Sequence, residues 1–414
     1  MKKVSNLLQF LSTNHKSKIE PCILWSLKDY PLTFIPLILQ IQGDFSNSFE
    51  RKLKRLGCRE ITYFPIINGY SLSAPVSKIK DILNIPILTY LSMNHKVFAF
   101  MNHTSSNLGA YQVNRYGITG RNITIAHLDT GIYPHGDLIR PKNRILFFKD
   151  FVDEYSSPYD DNGHGTHCAG CMAGNGVLSK GQYKGIAPDA LLVGLKCLDE
   201  KGTGDVKNTL KALQWVLDNK EQYHIRIVHI PFGVYHTYPL KQDPLIKAVE
   251  KLWQEGLVVI CAAGNNGPYK ASIASPGSSE SVITVGSCLK NAYENMPQAV
   301  CDFSSRGPTF AGENKPDLVV PGKNITSLYC DPQYSPSKGK KDILTTPYLS
   351  FTGTSVSSSI VAGTVALLLE KCPEFSPDEV KLALEMSCKS LHLGKNVQGK
   401  GVLDIESLLT NEFQ

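Results

Sequence analysis

Short, nearly unbroken apolar runs set the rhythm of this chain from residue 123 onward. Residues 123–128, 191–198, 225–230, 257–262 and 282–285 are runs of strand length, rich in Ile, Leu, Val and Ala and bounded by polar or turn-forming residues. Between them lie stretches with apolar positions three and four apart, such as 205–219 and 244–255. The second is fully punctuated, with Asp243 as cap, Pro244 at the first helical position and Gly256 past the end. Strands apolar on both faces, alternating with helices, predict a parallel sheet covered on both sides. Ser376-Pro377-Asp378-Glu379 announces a late helix by the signature of a capping box. After Gly353, small residues lead to the apolar run 365–369, which predicts a turn into a buried helix.

The first hundred residues have a different pattern. Residues 34–41 read as an apolar strand, and 47–56 have helical spacing ended by Gly57. Residues 60–64 and 69–73 read as two strands around Pro65 and Asn68-Gly69, followed by a helix over 76–83 and a strand over 87–91. This β-α-β-β-α-β order is a ferredoxin-like pattern. Residues 101–109 carry Ser, Asn and Gly and read as a linker. The expected architecture is α/β: a small α+β unit with its linker over 1–105, then a doubly wound parallel sheet with helices on both faces over 106–414.

Composition narrows the class. Apolar residues make up 42% and charged residues 19% of 414, ordinary for a globular protein with a sizeable core. The net charge of +6 is not gathered into a long Lys/Arg block, so nucleic acid is not an expected partner. Eleven scattered cysteines argue against a disulfide scaffold and for a reducing compartment. The apolar stretch after Met1-Lys2-Lys3 is broken by Asn6, Gln9, Ser12 and Asn14, and no run reaches the ~18 residues of a membrane span. The expected location is the cytoplasm, with no membrane partner.

Candidate chemistry gathers at three motifs. Asp129 follows an apolar strand and precedes Thr130-Gly131, at the strand end where open α/β sheets bind ligands. His164 stands between glycines in Asn162-Gly163-His164-Gly165-Thr166-His167. Ser355 opens the small-residue helix, where backbone N–H groups favour developing negative charge. Taken singly, each reads more simply as a turn cap, a structural histidine and an N-cap serine. Together they place an acid, a base and a nucleophile in the chain order Asp, His, Ser, an order that separates one fold carrying this triad from others.

With Ala262-Ala263-Gly264-Asn265, these segments resemble the subtilisin-like serine proteases, or subtilases. The resemblance covers roughly residues 111–409 and includes Gly185-Ile186-Ala187-Pro188, Phe303-Ser304-Ser305-Arg306-Gly307-Pro308 and Pro316-Asp317-Leu318-Val319-Val320-Pro321-Gly322. Asp160-Asp161-Asn162 and Ala274-Ser275-Pro276-Gly277 look like the leaderless intracellular alkaline proteases of bacilli. The resemblance implies a serine endopeptidase with Asp129, His164 and Ser355 as triad and Asn265 as donor to the oxyanion. It implies that substrate is held as an added strand beside Asn162, Gly202-Thr203-Gly204 and Pro231-Phe232-Gly233. It also implies polypeptide substrates, an inhibitory propeptide over residues 34–100 and a self-processing zymogen.

The chain departs from the family pattern near the cleft. Val356, Ser357 and Ser359 replace the usual Met-Ala and Pro after the nucleophile, and Pro231-Phe232-Gly233-Val234 replaces Ser-Leu-Gly-Gly, which costs one N–H. The alternative is therefore a pseudoprotease or dedicated binding partner on the same scaffold. His164, His167, Cys168 and Cys171, at i, i+3, i+4 and i+7, span roughly 10 Å of helix and cannot all reach one zinc ion. No metal site is expected there, and Cys168 reads as a core thiol one turn from the imidazole. No cofactor is required. Calcium is possible in such a family at Asp137, but residues 175–184 offer few carboxylates.

Overall fold

A computed structural model describes residues 17–23, 33–43, 47–100, 102–104, 117–236, 242–291, 299–334, 336 and 346–410. The N-terminal unit runs β1 (Phe34–Ile41), α1 (Asn47–Arg55), β2 (Arg59–Phe64), β3 (Gly69–Pro75), α2 (Ile79–Leu83) and β4 (Leu88–Met93). Its strands pair antiparallel in the order β2-β3-β1-β4, the ferredoxin-like arrangement that the pattern predicts. The helix expected over 76–83 is split: Val76–Lys78 is a 3₁₀ turn, and only Ile79–Leu83 is α-helical. Pro75, the residue before the turn, is extended at φ −61 and ψ 129 and offers no side chain to cap it.

β5 (Lys96–Ala99) and β6 (Asn102–Thr104) come next, then β7 (Thr124–Asp129), β8 (Ile145–Asp150), α3 (His164–Ala173), β9 (Leu191–Lys196), β10 (Thr203–Asp205), α4 (Val206–Asn219), β11 (Ile225–Ile230) and β12 (Phe232–Gly233). The chain continues through α5 (Pro244–Gln254), β13 (Val258–Ala262), β14 (Ile283–Cys288), β15 (Leu318–Pro321), β16 (Ile325–Leu328), β17 (Tyr348–Thr352), α6 (Thr354–Lys371), α7 (Pro377–Met386), β18 (Cys388–Lys389), β19 (Val402–Leu403) and α8 (Ile405–Thr410). Nine strands form one sheet in the order β18-β19-β15-β14-β13-β11-β7-β9-β8, parallel except at β18–β19. Of residues 101–109, expected as a linker, 102–104 form β6, and the rest lie outside the described residues.

The helix ends follow their sequence signals. Asp205 and Asp243 accept from backbone N–H groups at the starts of α4 and α5, and Ser376 and Glu379 complete the capping box of α7. α6 is eighteen residues long and buried from Thr354 to Leu369; it runs along β11, β13, β14 and β15 and packs on α3. All eleven cysteines are free thiols. Among the described residues, no helix is long and apolar enough to cross a membrane.

The N-terminal unit has its own core around Leu37, Leu39, Leu53, Leu72, Ile82 and Leu91, while Phe64, Ile66, Ile67 and Val97 belong to the main one. The turn Pro65–Ile67 packs on α4 and α5, with Ile66 N–H bonded to Gln214 Oε1 at 2.8 Å.

Candidate active site

Three strand and helix ends converge. Asp129 is the last residue of β7, His164 the first of α3, and Ser355 lies in the first turn of α6; all three are 0–1% exposed. His164 Nδ1 is 2.7 and 2.9 Å from the two Asp129 oxygens. Burial alone would raise the Asp129 carboxyl, but the His164 charge and hydrogen bond, His127 and the Thr130 N–H outweigh it and hold it below its ordinary value. Gly165 is needed here, because a Cβ would strike the Gly131 carbonyl and lie 3.1 Å from the Asp129 Cβ. Cys168, one turn on, has its sulfur 3.9 Å from both His164 Nε2 and the Ser355 carbonyl, and burial pushes its thiol well above the usual range. It stays protonated there.

The loop before His164 is organised by a carboxylate. Buried Asp160 accepts from Thr130 Oγ1 and the N–H groups of Asn162, Gly163 and Thr166, and from Thr166 Oγ1, all at 2.6–3.1 Å. Buried Lys196 donates to Thr130 O at 2.6 Å, Asp161 Oδ1 at 2.6 Å and Leu198 O at 2.9 Å, which satisfies its three protons. Sequence reasoning treated Asp160 only as part of a family likeness and passed over Lys196. The available signal was a lysine inside the apolar run Leu191–Lys196.

Asn265 Oδ1 accepts from Thr354 N–H and Oγ1 at 3.0 Å each, which turns its amide nitrogen away from them. That nitrogen and the Phe100 carbonyl oxygen share one pocket: a Cβ on Gly353 would clash with the oxygen and lie 3.1 Å from Asn265 Nδ2. The Ser355 hydroxyl donates to the same Phe100 oxygen at 2.6 Å.

Residues leading to Phe100 fill the cleft. β5 pairs antiparallel with β10 on one side and β12 on the other, with Val97 opposite Gly204, Phe98 opposite Thr203 and Gly233, and Ala99 opposite Phe232. Ala99 N–H adds a 2.9 Å bond to Gly202 O, and Asn162 Nδ2 holds the Glu200 carbonyl beside that turn. Pro231 lies buried just ahead of β12, so its missing N–H costs no rung of the ladder. β6 continues on the far side of Phe100, antiparallel to β17. Phe100 itself is 3% exposed among Tyr235, Ala262 and Ala274.

The four residues weighed as metal ligands separate into two pairs, Cys168 beside His164 and Cys171 3.8 Å from His167, whose Nε2–H donates to Ile325 O. Among the described residues, two groups bring three donor atoms within 4.8 Å of one another: Asp129, His164 and Cys168 here, and Glu20, His95 and His236 where the N-terminal unit meets the rest of the chain. Asp137 spends one carboxylate oxygen on Leu178 N–H and the other on the Tyr348 hydroxyl, both at 2.7 Å.

The subtilase family model matches residues 120–404. Serine protease AprX of Bacillus subtilis is 40% identical over 76% of this chain and 73% of its own length. Subtilisin DY of Bacillus licheniformis is 31% identical over 72% of the chain and 94% of its own. Fervidolysin from Fervidobacterium pennivorans, a keratinolytic enzyme related to subtilisin, has a solved structure that matches 93% of this chain and 62% of that one, with a TM-score of 0.72 at 18% identity; that likeness concerns the fold.

Proposed function

The chain belongs to the subtilase family of serine proteases, and on that premise we propose that it is an endopeptidase held in check by its own N-terminal unit. Its substrates are polypeptides, and the roles are those that the family likeness gives to these residues. Ser355 Oγ attacks the substrate carbonyl carbon while its proton passes to His164 Nε2. Asp129 fixes the proton on Nδ1 and stabilises the imidazolium, and Asn265 Nδ2 donates to the oxygen as it becomes an anion. The C–N bond then breaks with the His164 proton going to the leaving amine, and water releases the acyl group by the same steps reversed.

The observation that carries this reading is the seating of residues 96–100 and 102–104, which pair with strands on either side of Ser355 as a substrate would, with the Phe100 carbonyl on Ser355 Oγ. The bond to be cut is Phe100–Met101. Intact mass of the purified full chain should therefore show a fragment beginning at Met101, and the same preparation should hydrolyse denatured casein. Full-length protein without casein turnover would favour the binding-partner reading.

The occupied cleft also states a preference. Phe100 fills an apolar pocket, Val97 is fully buried and Phe98 is 47% exposed, so an aromatic residue before the cut bond and an aliphatic one three positions earlier are favoured. Phe100→Asp should slow self-processing by roughly 10²-fold or more, because a carboxylate would lose its water without a partner. A mass time course checks this; processing at the wild-type rate would remove Phe100 from the pocket's role.

Asn265→Ala should lower kcat by roughly 10²–10³ with KM little changed, because its amide bonds the anion more than the ground-state carbonyl. Steady-state kinetics on a peptide p-nitroanilide decide it, and a loss under about threefold would take Asn265 out of the oxyanion site.

The hold of the N-terminal unit should depend on pH. Buried Glu20 bonds His95 at 2.6 Å, and His236 of the peptidase part bonds Asp243 at 3.2 Å, with the two imidazoles 5.3 Å apart. Burial works against protonation of His236, but the Asp243 hydrogen bond and charge, with Glu20 beyond, raise it above 6.5. A raised histidine stabilises fully below its unfolded value and ceases to do so as pH rises through the folded one. Melting of the unprocessed Ser355→Ala chain between about pH 6 and pH 9 should therefore fall more steeply than that of the same chain carrying His236→Gln. Parallel curves would remove His236 from the contact's energetics.

A further inference from the structure

Two imidazoles interrupt neighbouring apolar strands behind the triad. His127 lies two residues before Asp129 on β7, His229 sits opposite it in register on β11, and both are 0–1% exposed with rings stacked at 5.1 Å. The two Nδ1 atoms are 3.0 Å apart. At the outer ends, His127 Nε2 is 3.0 Å from the carbonyl of Gly165, the neighbour of His164, and His229 Nε2 is 2.9 Å from the hydroxyl of Ser358, one turn after Ser355.

The proton positions follow from the partners. A carbonyl can only accept, so His127 carries a proton on Nε2. Burial lowers both imidazoles, His229 well below its ordinary value because His127 and His164 add to the effect. A neutral imidazole has one N–H, so His127 Nδ1 accepts from His229 Nδ1–H, and His229 Nε2 takes the one proton of the Ser358 hydroxyl, whose oxygen also lies 2.9 Å from the Ser355 carbonyl, an acceptor that the Ser359 hydroxyl serves at 2.8 Å. The hydrogen bonds then run one way, from α6 through β11 and β7 to α3. Each end lies within three residues of a triad member, and His127 shares a strand with the third. His127 Nε2 also lies 3.5 Å from Asp129 Oδ2, which sets the partial positive charge of its N–H beside the carboxylate. The charged or titratable groups acting on the pair are Asp129 on β7, His164 on α3 and Asp160 on the loop before it.

We propose that His127 and His229 are positioning residues for the triad: a neutral pair that ties its three carrier segments together and turns an N–H dipole toward Asp129. The inference rests on reading Asp129, His164 and Ser355 as that triad. A larger cavity, of about 920 Å³ between β2, β8 and α4, is lined with aromatic side chains but has nothing against it that indicates an occupant.

The test compares processed wild type with His127→Leu and His127→Gln, with kcat scaled to the fraction of serine that reacts with a sulfonyl fluoride. His127→Leu should lower kcat about tenfold, with KM within about twofold, by loss of a hydrogen bond that aligns the reacting groups. The acid limb of kcat/KM should move to higher pH, because a carboxylate no longer facing the N–H dipole holds the His164 imidazolium more strongly. His127→Gln, whose amide N–H reaches the Nε2 position, should recover most of both effects. Simple loss of core packing would lower the folded or reactive fraction and leave kcat per reactive site and the acid limb unchanged; that result overturns the proposal. So does a Gln variant as impaired as the Leu variant. Should His127→Leu not fold, His229→Asn, which gives up the bond to Ser358, is read by the same two measures. A wild type without a Ser355-dependent reaction would instead overturn the triad reading, whereas an active wild type with indifferent variants sinks this inference alone.

Discussion

Ser355→Ala is expected to remove peptidase activity and leave the chain at full length. Without the Oγ there is nothing to attack the Phe100 carbonyl, which already lies within hydrogen-bond reach of it. The loss in kcat should be about 10⁶-fold, the size known for subtilisin when its serine is removed, leaving only the catalysis that binding and the oxyanion donors supply. Folding should be untouched, since the methyl group fits the buried start of α6 and the hydroxyl's bond goes to the cleft strand and not to the core. The measurement is intact mass together with casein turnover in a host lacking other proteases. A Ser355→Ala chain processed at Phe100–Met101 like wild type would contradict self-cleavage.

Residues 110–414 expressed alone should give inactive, aggregation-prone protein, rescued by adding residues 1–105 in trans. β7, which carries Asp129, pairs with β9 and β11 from far along the chain, and α6 with Ser355 arrives more than half the chain length later. Such non-local pairings must close long loops before any contact rewards them, so folding is slow and strand edges stay exposed. The N-terminal unit offers a preformed surface: β5 supplies the strand between β10 and β12, and Pro65–Ile67 packs against α4 and α5. Refolding yield and activity with and without the added unit decide the matter. Unaided folding of 110–414 at a normal rate, with full activity, would make the first hundred residues an accessory domain and not a folding aid.

Much of the candidate site was legible because close approach demands small residues in fixed places. Gly165 beside Asp129, Gly353 against the Phe100 carbonyl and Gly264 at φ +105 ahead of Asn265 cannot carry side chains, so each reacting group sits in a short motif visible by itself. The helix boundaries were legible for a similar reason, since caps are satisfied within three residues. Several strands were not. β8 alternates buried and exposed residues at the sheet edge, and β16 and β17 are four and five residues long with Thr, Ser and Tyr among the apolar positions. Their hydrogen bonds are made to partners that no local pattern reveals.

By itself, then, the sequence determined what depends on near neighbours: which runs are buried strands, where helices start, and that an aspartate, a histidine and a serine stand on small-residue motifs in a telling order. Tertiary structure decided what depends on groups brought together from across the chain. β5 became the middle strand of a sheet whose other members lie a hundred residues on, and this put the Phe100 carbonyl on Ser355. Lys196, His127 and His229 showed in sequence only as polar letters in or beside apolar runs, and Asp160 only as part of a family likeness. A buried charge or imidazole is tolerable only when its partners are complete, and those partners are Thr130, Asp161, Thr166, Gly165 and Ser358, which fold alone assembles around it.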